Sequence, residues 1–187
     1  MGGHDAGAQI LLHAVVTRQL TPGKLVLMPN PMHGPPERTP RERVLSRAVR
    51  AASVPGLDRA ISHGARLAFP PAWGEGLTAR GNPAARDLVR HAFSSLNGNA
   101  NRARSWARAS RRWPKGAQPD LLEAYRLIEV PTLLLWADQD AMHPLRVAEE
   151  ALDLLPDAQL RVLEGTGFLM AYDDPVGLAR ELAAFCG

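Results

Sequence analysis

The chain has 187 residues, which is enough for one ordinary domain or for a core with an inserted lid, but too few for two large domains. Hydrophobic residues make up 45% and charged residues 22%, which excludes the low hydrophobicity and high charge of a disordered chain. The formal charge of +3 is too small to indicate a polyanionic partner.

Cysteine content and the first residues bear on the compartment. The single cysteine, Cys186, has no disulfide partner within the chain, so nothing indicates an oxidising environment. The sequence shows neither the basic start and apolar run of a signal peptide nor a stretch approaching roughly 18 uninterrupted apolar residues. We therefore predict a cytoplasmic protein that does not bind a membrane.

The first thirty residues predict a helix followed by a strand. Apolar residues recur at helical spacing from Ile10 to about Gln19, and Pro22-Gly23 ends this helix. The run 24–28 is short, continuous and apolar, which is typical of a strand buried on both faces of a parallel sheet.

The middle of the chain, residues 31–126, is rich in Arg, Ala and Pro and contains no convincing strand. We predict an all-helical lid inserted into the core. Its expected helices cover residues 40–52, 57–68, 83–96, 100–112 and 120–127.

The last sixty residues alternate between strand and helix patterns. The expected elements are strand 130–136, helix 145–155, strand 159–163 and helix 176–185. Such alternation predicts an α/β fold with parallel strands, whose reactive residues lie on loops beyond the carboxyl ends of the strands. The chain is thus expected to consist of core 1–30, lid 31–126 and core 127–187.

A candidate reactive turn lies at the start, where Gly3-His4-Asp5-Ala6-Gly7 has the glycine spacing of a nucleophile elbow. In such an elbow, small flanking residues let the backbone bend sharply between a strand and a helix. Taken alone, the five residues are more typical of a glycine-rich terminus with an aspartate that caps the following helix than of an elbow. The rest of the chain decides between these interpretations.

Three later segments resemble parts of the α/β-hydrolase family in the family's order. Residues 128–140 resemble its penultimate strand, whose pattern V-P-T-L-L-L-W-G-x-x-D delivers the triad acid. Residues 154–165 resemble its last strand with the preceding helix end, and Asp173-Asp174-Pro175 resembles the turn that opens its final helix. The resemblance covers residues 1–30 and 127–187. It implies a truncated α/β-hydrolase fold, with a residual parallel sheet of about three strands, flanking helices and a lid.

The resemblance also implies roles for individual residues. Asp5 takes the nucleophile position, Asp140 the triad acid, and the backbone N–H of Ala6 an oxyanion donor. An aspartate at the nucleophile position resembles the arrangement in haloalkane dehalogenases and epoxide hydrolases. These enzymes displace a group at a saturated carbon. The position of the family's general base, however, holds Phe168, whose ring cannot accept a proton. The implied function is a hydrolase of a small organic substrate; the alternative is a catalytically inactive fragment or pseudoenzyme with a binding or assembly role.

The chain starts at the elbow, whereas the family has several strands before it. We expect the strand that feeds Asp5 to be missing and residues 25–28 to form an exposed, apolar sheet edge. This predicts self-association through the edge or pairing with a separately encoded N-terminal half, and it raises the hypothesis of a misplaced start or a truncated gene.

Histidines are the other candidates for a base. His143 is the best placed, because it follows Asp140 on a loop at the carboxyl end of a strand, although most loop-borne ionisable groups have no special role and we expect the same here. His4 is expected to pack beneath the elbow. No spacing of metal ligands occurs, so we predict neither a metal nor another cofactor.

The tyrosines and an Arg-rich stretch do not indicate an additional functional site. The chain has two tyrosines, Tyr125 and Tyr172, and neither stands where an epoxide hydrolase would carry its lid acid. The Arg-rich stretch 102–115, with Trp106 and Trp113, is interpreted as a solvated helix face with its tryptophans turned inward. We therefore predict a small-molecule substrate or ligand and no nucleic-acid partner.

Overall fold

A computed structural model describes residues 1–30, 72–94 and 125–187, with isolated positions 47, 51, 54, 56, 57, 60, 99, 101, 102, 104, 105 and 108. The chain divides into two compact units. The first comprises Met1–Pro35, Leu77–Gly81 and Lys115–Gly187, and the second Pro36–Gly76 and Asn82–Pro114. The predicted helices 40–52, 57–68, 100–112 and 120–127 fall mainly outside the described residues, and the division into core and lid stays a prediction.

The first unit contains a sheet of four parallel strands arranged in chain order. Its strands are β1 (Gly2–Gly3), β2 (Leu25–Leu27), β3 (Thr132–Ala137) and β4 (Ala158–Leu163). The register places Val26 beside Gly2 and Leu133, and Leu133 beside Gln159. The predicted α/β fold with a parallel sheet is confirmed.

The edge of this sheet differs from the one predicted. The N–H of Val26 donates to the Met1 carbonyl at 2.8 Å, and that of Met28 donates to the Gly3 carbonyl at 2.9 Å. The prediction that residues 25–28 form the edge was therefore wrong, because the last residues before the elbow already cover β2. Among the described strands, the edge on this side is the two-residue β1.

Helices of the first unit flank the sheet on both faces. The first unit carries α1 (Ala6–Val16), α4 (Leu145–Leu152), α5 (Met170–Asp173) and α6 (Pro175–Cys186), and the second carries α2 (Ala72–Glu75) and α3 (Ala84–Ser94). The start of α6 has a clear chemical cause: Pro175 occupies its first turn, and the Asp174 carboxylate accepts from the Gly177 N–H at 2.8 Å. No helix within the described ranges is long and apolar enough to cross a membrane.

Strand β3 is the centre of the core, because all six of its residues are buried. Its side chains alternate between two apolar clusters. Leu134 and Trp136 pack with residues of α1 and α4, while Leu133 and Leu135 pack on the other face with residues of α5 and α6. Burying each such side chain contributes about 1.5–3 kcal/mol relative to exposing it. The loop that leaves the carboxyl end of β3 therefore starts from a firmly held position.

The second unit is described mainly through α2 and α3. Gly74 approaches the carbonyl of Ala85 so closely that no Cβ would fit there. Ala85 and Val89 are buried, and the Arg86 Nε donates to the Glu75 carboxylate at 2.6 Å. These contacts hold the two helices together, and α3 corresponds to the helix predicted over residues 83–96.

Candidate active site

The turn between β1 and α1 has the strained backbone expected of a nucleophile elbow. Asp5 adopts φ 49° and ψ −124°, a conformation that costs a non-glycine residue about 1–3 kcal/mol. Its N–H donates to the Pro29 carbonyl at 2.8 Å, which holds the turn against the end of β2. A Cβ on Gly3 would lie 2.6 Å from the Ala8 Cα, whereas open space surrounds Gly7 among the described residues. The first glycine of the motif is thus sterically required.

The Asp5 carboxylate is available for chemistry. Asp5 stands at the N-cap position of α1, but its side chain makes no capping hydrogen bond, so the simple capping interpretation was wrong. The side chain is 45% exposed. Ala6, at the first helical position, has an N–H with no acceptor inside the helix, which leaves it free for the oxyanion role implied by the resemblance. The helix start also favours negative charge at this place.

The second carboxylate, Asp140, lies just beyond the carboxyl end of β3. Its side chain is completely buried. One oxygen, Oδ1, accepts from the backbone N–H groups of Met142 at 2.7 Å and His143 at 3.1 Å. The other, Oδ2, lies 3.3 Å from the His143 Nδ1. Asp140 therefore organises its own loop and directs one oxygen at an imidazole.

That imidazole lies between the two carboxylates. The His143 Nε2 is 3.9 Å from the Asp5 Oδ1, on the side of the ring away from Asp140. The residue is only 6% exposed, and its carbonyl accepts from the buried Trp136 Nε1 at 2.8 Å. The sequence located His143 on the correct loop but gave no measure of its distance from Asp5. The structure brings the two together.

Phe168, at the family's base position, packs against two imidazoles. Its ring centroid lies 4.4 Å from that of His4 and 5.4 Å from that of His143. Its carbonyl accepts from the His4 Nε2 at 3.0 Å. Burial lowers the pKa of His4, an effect that the nearby Asp5 carboxylate opposes. The loop after β4 thus reaches the site, but it presents a ring without acid–base chemistry.

A further carboxylate, Asp173, ties this loop to the segment Leu77–Gly81. Its Oδ2 accepts from the backbone N–H groups of Ala79 at 2.8 Å and Gly167 at 2.9 Å, and its Oδ1 accepts from that of Arg80 at 3.2 Å. A Cβ on Gly167 would lie 2.9 Å from the Ala79 nitrogen, so this close approach requires glycine. The sequence indicated Asp173 only as part of the turn before α6.

Tyr125 belongs to the core. It is 2% exposed within the cluster formed by α1 and α4, and burial raises the pKa of its hydroxyl to about 12. Within the described residues, no group of three or more His, Cys, Asp or Glu side chains could hold a metal ion.

Solved structures that are similar to this chain include esterases. An esterase from Exiguobacterium antarcticum aligns with a TM-score of 0.64 at 19% identity, over 98% of this chain and 65% of its own. MenH from S. aureus aligns with a TM-score of 0.69 at 17% identity, over 98% and 66%. An esterase from Thermogutta terrifontis aligns with a TM-score of 0.65 at 19% identity, over 98% and 62%. The chain therefore spans about two thirds of the length of these structures.

The sequence comparisons give the family. A comparison with curated proteins finds no match. The model of the alpha/beta hydrolase family matches residues 1–181, nearly the whole chain, and agrees with the fold of the structural relatives. The chain belongs to the alpha/beta hydrolase family.

Proposed function

We propose that this protein is a hydrolase for small organic molecules that carry a leaving group on a saturated carbon, with Asp5 as the nucleophile. The observation that carries the proposal is the strained elbow, which holds the Asp5 carboxylate half-exposed and free of capping bonds. Backbone strain at a reactive side chain is characteristic of functional sites, where the surrounding structure maintains it.

The nucleophile chemistry fits the site. An Asp5 oxygen attacks the carbon, a C–O bond forms, and the leaving group departs with the electrons of its bond to carbon. The product is an ester between the Asp5 carboxyl and the substrate. A carboxylate needs no base to attack, so this first step is compatible with Phe168 at the family's base position. Water then cleaves the ester, which releases the alcohol and restores Asp5.

The relatives support the reaction class at a coarser level. Esterases are among the solved structures of similar fold. Because their identity to this chain is only 19%, they support no more than the general class of hydrolysis. The proposed substrate class is inferred from the chemistry of Asp5.

The test is to trap the ester. The purified chain is incubated with bromoalkanes and terminal epoxides, quenched in acid, and its peptides are mapped by mass spectrometry. The expected result is a substrate-derived mass on the Asp5 peptide. In H₂¹⁸O, a single turnover should place the heavy oxygen in the Asp5 carboxylate and leave it out of the product alcohol, because water attacks the carboxyl carbon.

The matched control exchanges an exposed carboxylate at the amino end of β4. Asp5→Asn should abolish both the adduct and turnover, whereas Asp157→Asn should leave both intact. Absence of adduct and product in the unaltered chain across the whole panel, or turnover that survives Asp5→Asn, would contradict the proposal.

A second candidate function, assembly through the sheet edge, is favoured by a different observation. Strand β1 pairs with β2 on one side, and no described strand pairs with its other side. Unpaired backbone groups of an edge strand recruit other strands. We propose that a second copy of this chain adds its own edge strand there. Sedimentation velocity should then show concentration-dependent association, and a monomer at every concentration would count against self-association.

A further inference from the structure

Cleavage of the proposed Asp5 ester requires a group that activates the attacking water. The family position for that base holds Phe168, yet an imidazole still faces the nucleophile from a different element. His143 belongs to the loop between β3 and α4, and its Nε2 lies 3.9 Å from the Asp5 Oδ1.

Hydrogen bonding determines which nitrogen of His143 can accept a proton. The Nδ1 lies 3.3 Å from the Asp140 Oδ2, and because a carboxylate only accepts, Nδ1 carries the hydrogen of the neutral ring. The lone pair is then on Nε2, the nitrogen on the Asp5 side. A separation of 3.9 Å is too long for a direct hydrogen bond between Nε2 and Asp5. A base can act through one intervening water, which is the arrangement that ester cleavage requires.

Several contacts fix the imidazole in this place. The His143 carbonyl accepts from the Trp136 Nε1, and its N–H donates to the same Asp140 carboxylate that its ring faces. The Phe168 ring lies against the imidazole at 31° and 5.4 Å. A buried ring held by hydrogen bonds and packing needs little reorganisation to act, which is what efficient base catalysis demands.

His4 is the other histidine near Asp5 among the described residues, and it makes different contacts. Its Nε2 donates to the Phe168 carbonyl, and its ring packs in a tilted arrangement against the Phe168 ring, with 42° between the planes. Its burial lowers its pKa, which disfavours the protonated form that a base must adopt. Of the two imidazoles that the structure describes at the site, His143 is therefore the one that faces Asp5 and has a carboxylate behind it.

We propose that His143 is the general base of this protein, displaced from the loop after β4 to the loop after β3; this inference rests on the proposed ester at Asp5. His143 Nε2 takes a proton from water, and the resulting hydroxide adds to the carboxyl carbon of the Asp5 ester. The tetrahedral adduct collapses with cleavage of the bond to the alkoxide. The alkoxide takes the proton from His143, and the Asp5 carboxyl group loses its own proton to solvent. Asp140 stabilises the imidazolium in between.

The two steps give the test a readout that a merely structural role would not produce. In His143→Gln, formation of the ester should proceed at close to the original rate, while its hydrolysis slows by about 10²–10⁴-fold, the usual contribution of a general base. Quenched-flow mass spectrometry should show the adduct on Asp5 accumulating to one per chain. The matched control, His13→Gln, alters an exposed histidine of α1 and should behave as the unaltered chain.

The outcomes separate the two proposals. If no adduct forms in the unaltered chain, the nucleophile proposal fails and this one falls with it. If the unaltered chain forms and hydrolyses the adduct but His143→Gln does so equally well, only the base assignment is overturned. If His143→Gln instead loses both steps together or loses the folded circular dichroism spectrum, the test passes to His143→Asn. The base assignment then holds only if this variant retains the fold and stalls at the ester. Folded His143→Asn that does not stall rejects the assignment.

Discussion

Asp173 offers the most direct link between the structure and a measurable energy. Asp173→Ala removes the acceptor for three backbone N–H groups, from Ala79, Arg80 and Gly167. The bonds from Ala79 and Gly167 are part-buried, whereas that from Arg80 is exposed and its donor regains water on substitution. Hydrogen bonds to a charged group contribute about 1.5–3 kcal/mol each. Counting the two part-buried bonds in the lower half of this range, we expect a loss of about 3–4.5 kcal/mol in the free energy of unfolding.

The assay is chemical denaturation followed by circular dichroism, supported by thermal melting. For a chain of this size, a loss of about 3–4.5 kcal/mol corresponds to a fall in Tm of about 6–18 °C. The neighbouring variant Asp174→Ala is the control, because it removes one acceptor at the N-cap of α6 and should cost about 0.5–2 kcal/mol. Asp173→Asn should fall between them, since an amide oxygen accepts without charge. A loss for Asp173→Ala no larger than that for Asp174→Ala would refute the reasoning.

Other substitutions probe the site and its support. Phe168→His should change turnover little if His143 already supplies the base, whereas a chain without a base would gain about 10²–10⁴-fold; steady-state rates with the best substrate of the panel distinguish the two. Gly3→Ala should prevent the elbow from forming, because its Cβ would lie 2.6 Å from the Ala8 Cα, and the Asp5 adduct should disappear in the trapping assay. The pKa of His4 is lowered in the folded state, so the unfolded chain binds more protons and stability should decrease as the pH falls below about 6.5. In His4→Gln, denaturation midpoints between pH 8 and 5 should show a weaker decrease, and an unchanged pH dependence would contradict the assignment.

Elements with a clear apolar pattern were predictable from the sequence. The continuous run that became β3 is buried at every position, as expected for a central parallel strand, and the helical repeats of α1 and α6 were located within a few residues. Their signal is local, because it depends only on which side chains must leave water.

Two elements had no such signal. Strand β1 consists of two glycines, and only its pairing with β2 makes it a strand. Helix α5 is a single turn that begins at Met170, a residue buried against the face of the sheet that α6 covers. Both depend on contacts with segments distant in sequence, which a periodicity of side chains does not encode.

The candidate site, too, was only partly predictable from the sequence. The motif pattern predicted that Asp5 and Asp140 follow the carboxyl ends of strands, and both do so; their roles as nucleophile and acid stay a proposal. The distance from His143 to Asp5 could not be predicted, since it depends on the packing of two loops at the carboxyl edge of the sheet. Nor could the sequence show that Asp173 binds backbone groups of the segment Leu77–Gly81, far from it in the chain.

The position of His143 has a structural consequence for the proposed triad. Asp140 and His143 are three residues apart, and the Asp140 carboxylate also binds the His143 N–H, so acid and base form one rigid loop anchored by β3. In the family pattern the base comes instead from the loop after the last strand. Here that loop contributes the Phe168 ring and is fixed by the Asp173 bonds. If the proposal holds, Asp173→Asn should lower stability while His143 and Asp140 keep their mutual geometry, so ester hydrolysis by the folded fraction should be far less affected than in His143→Gln.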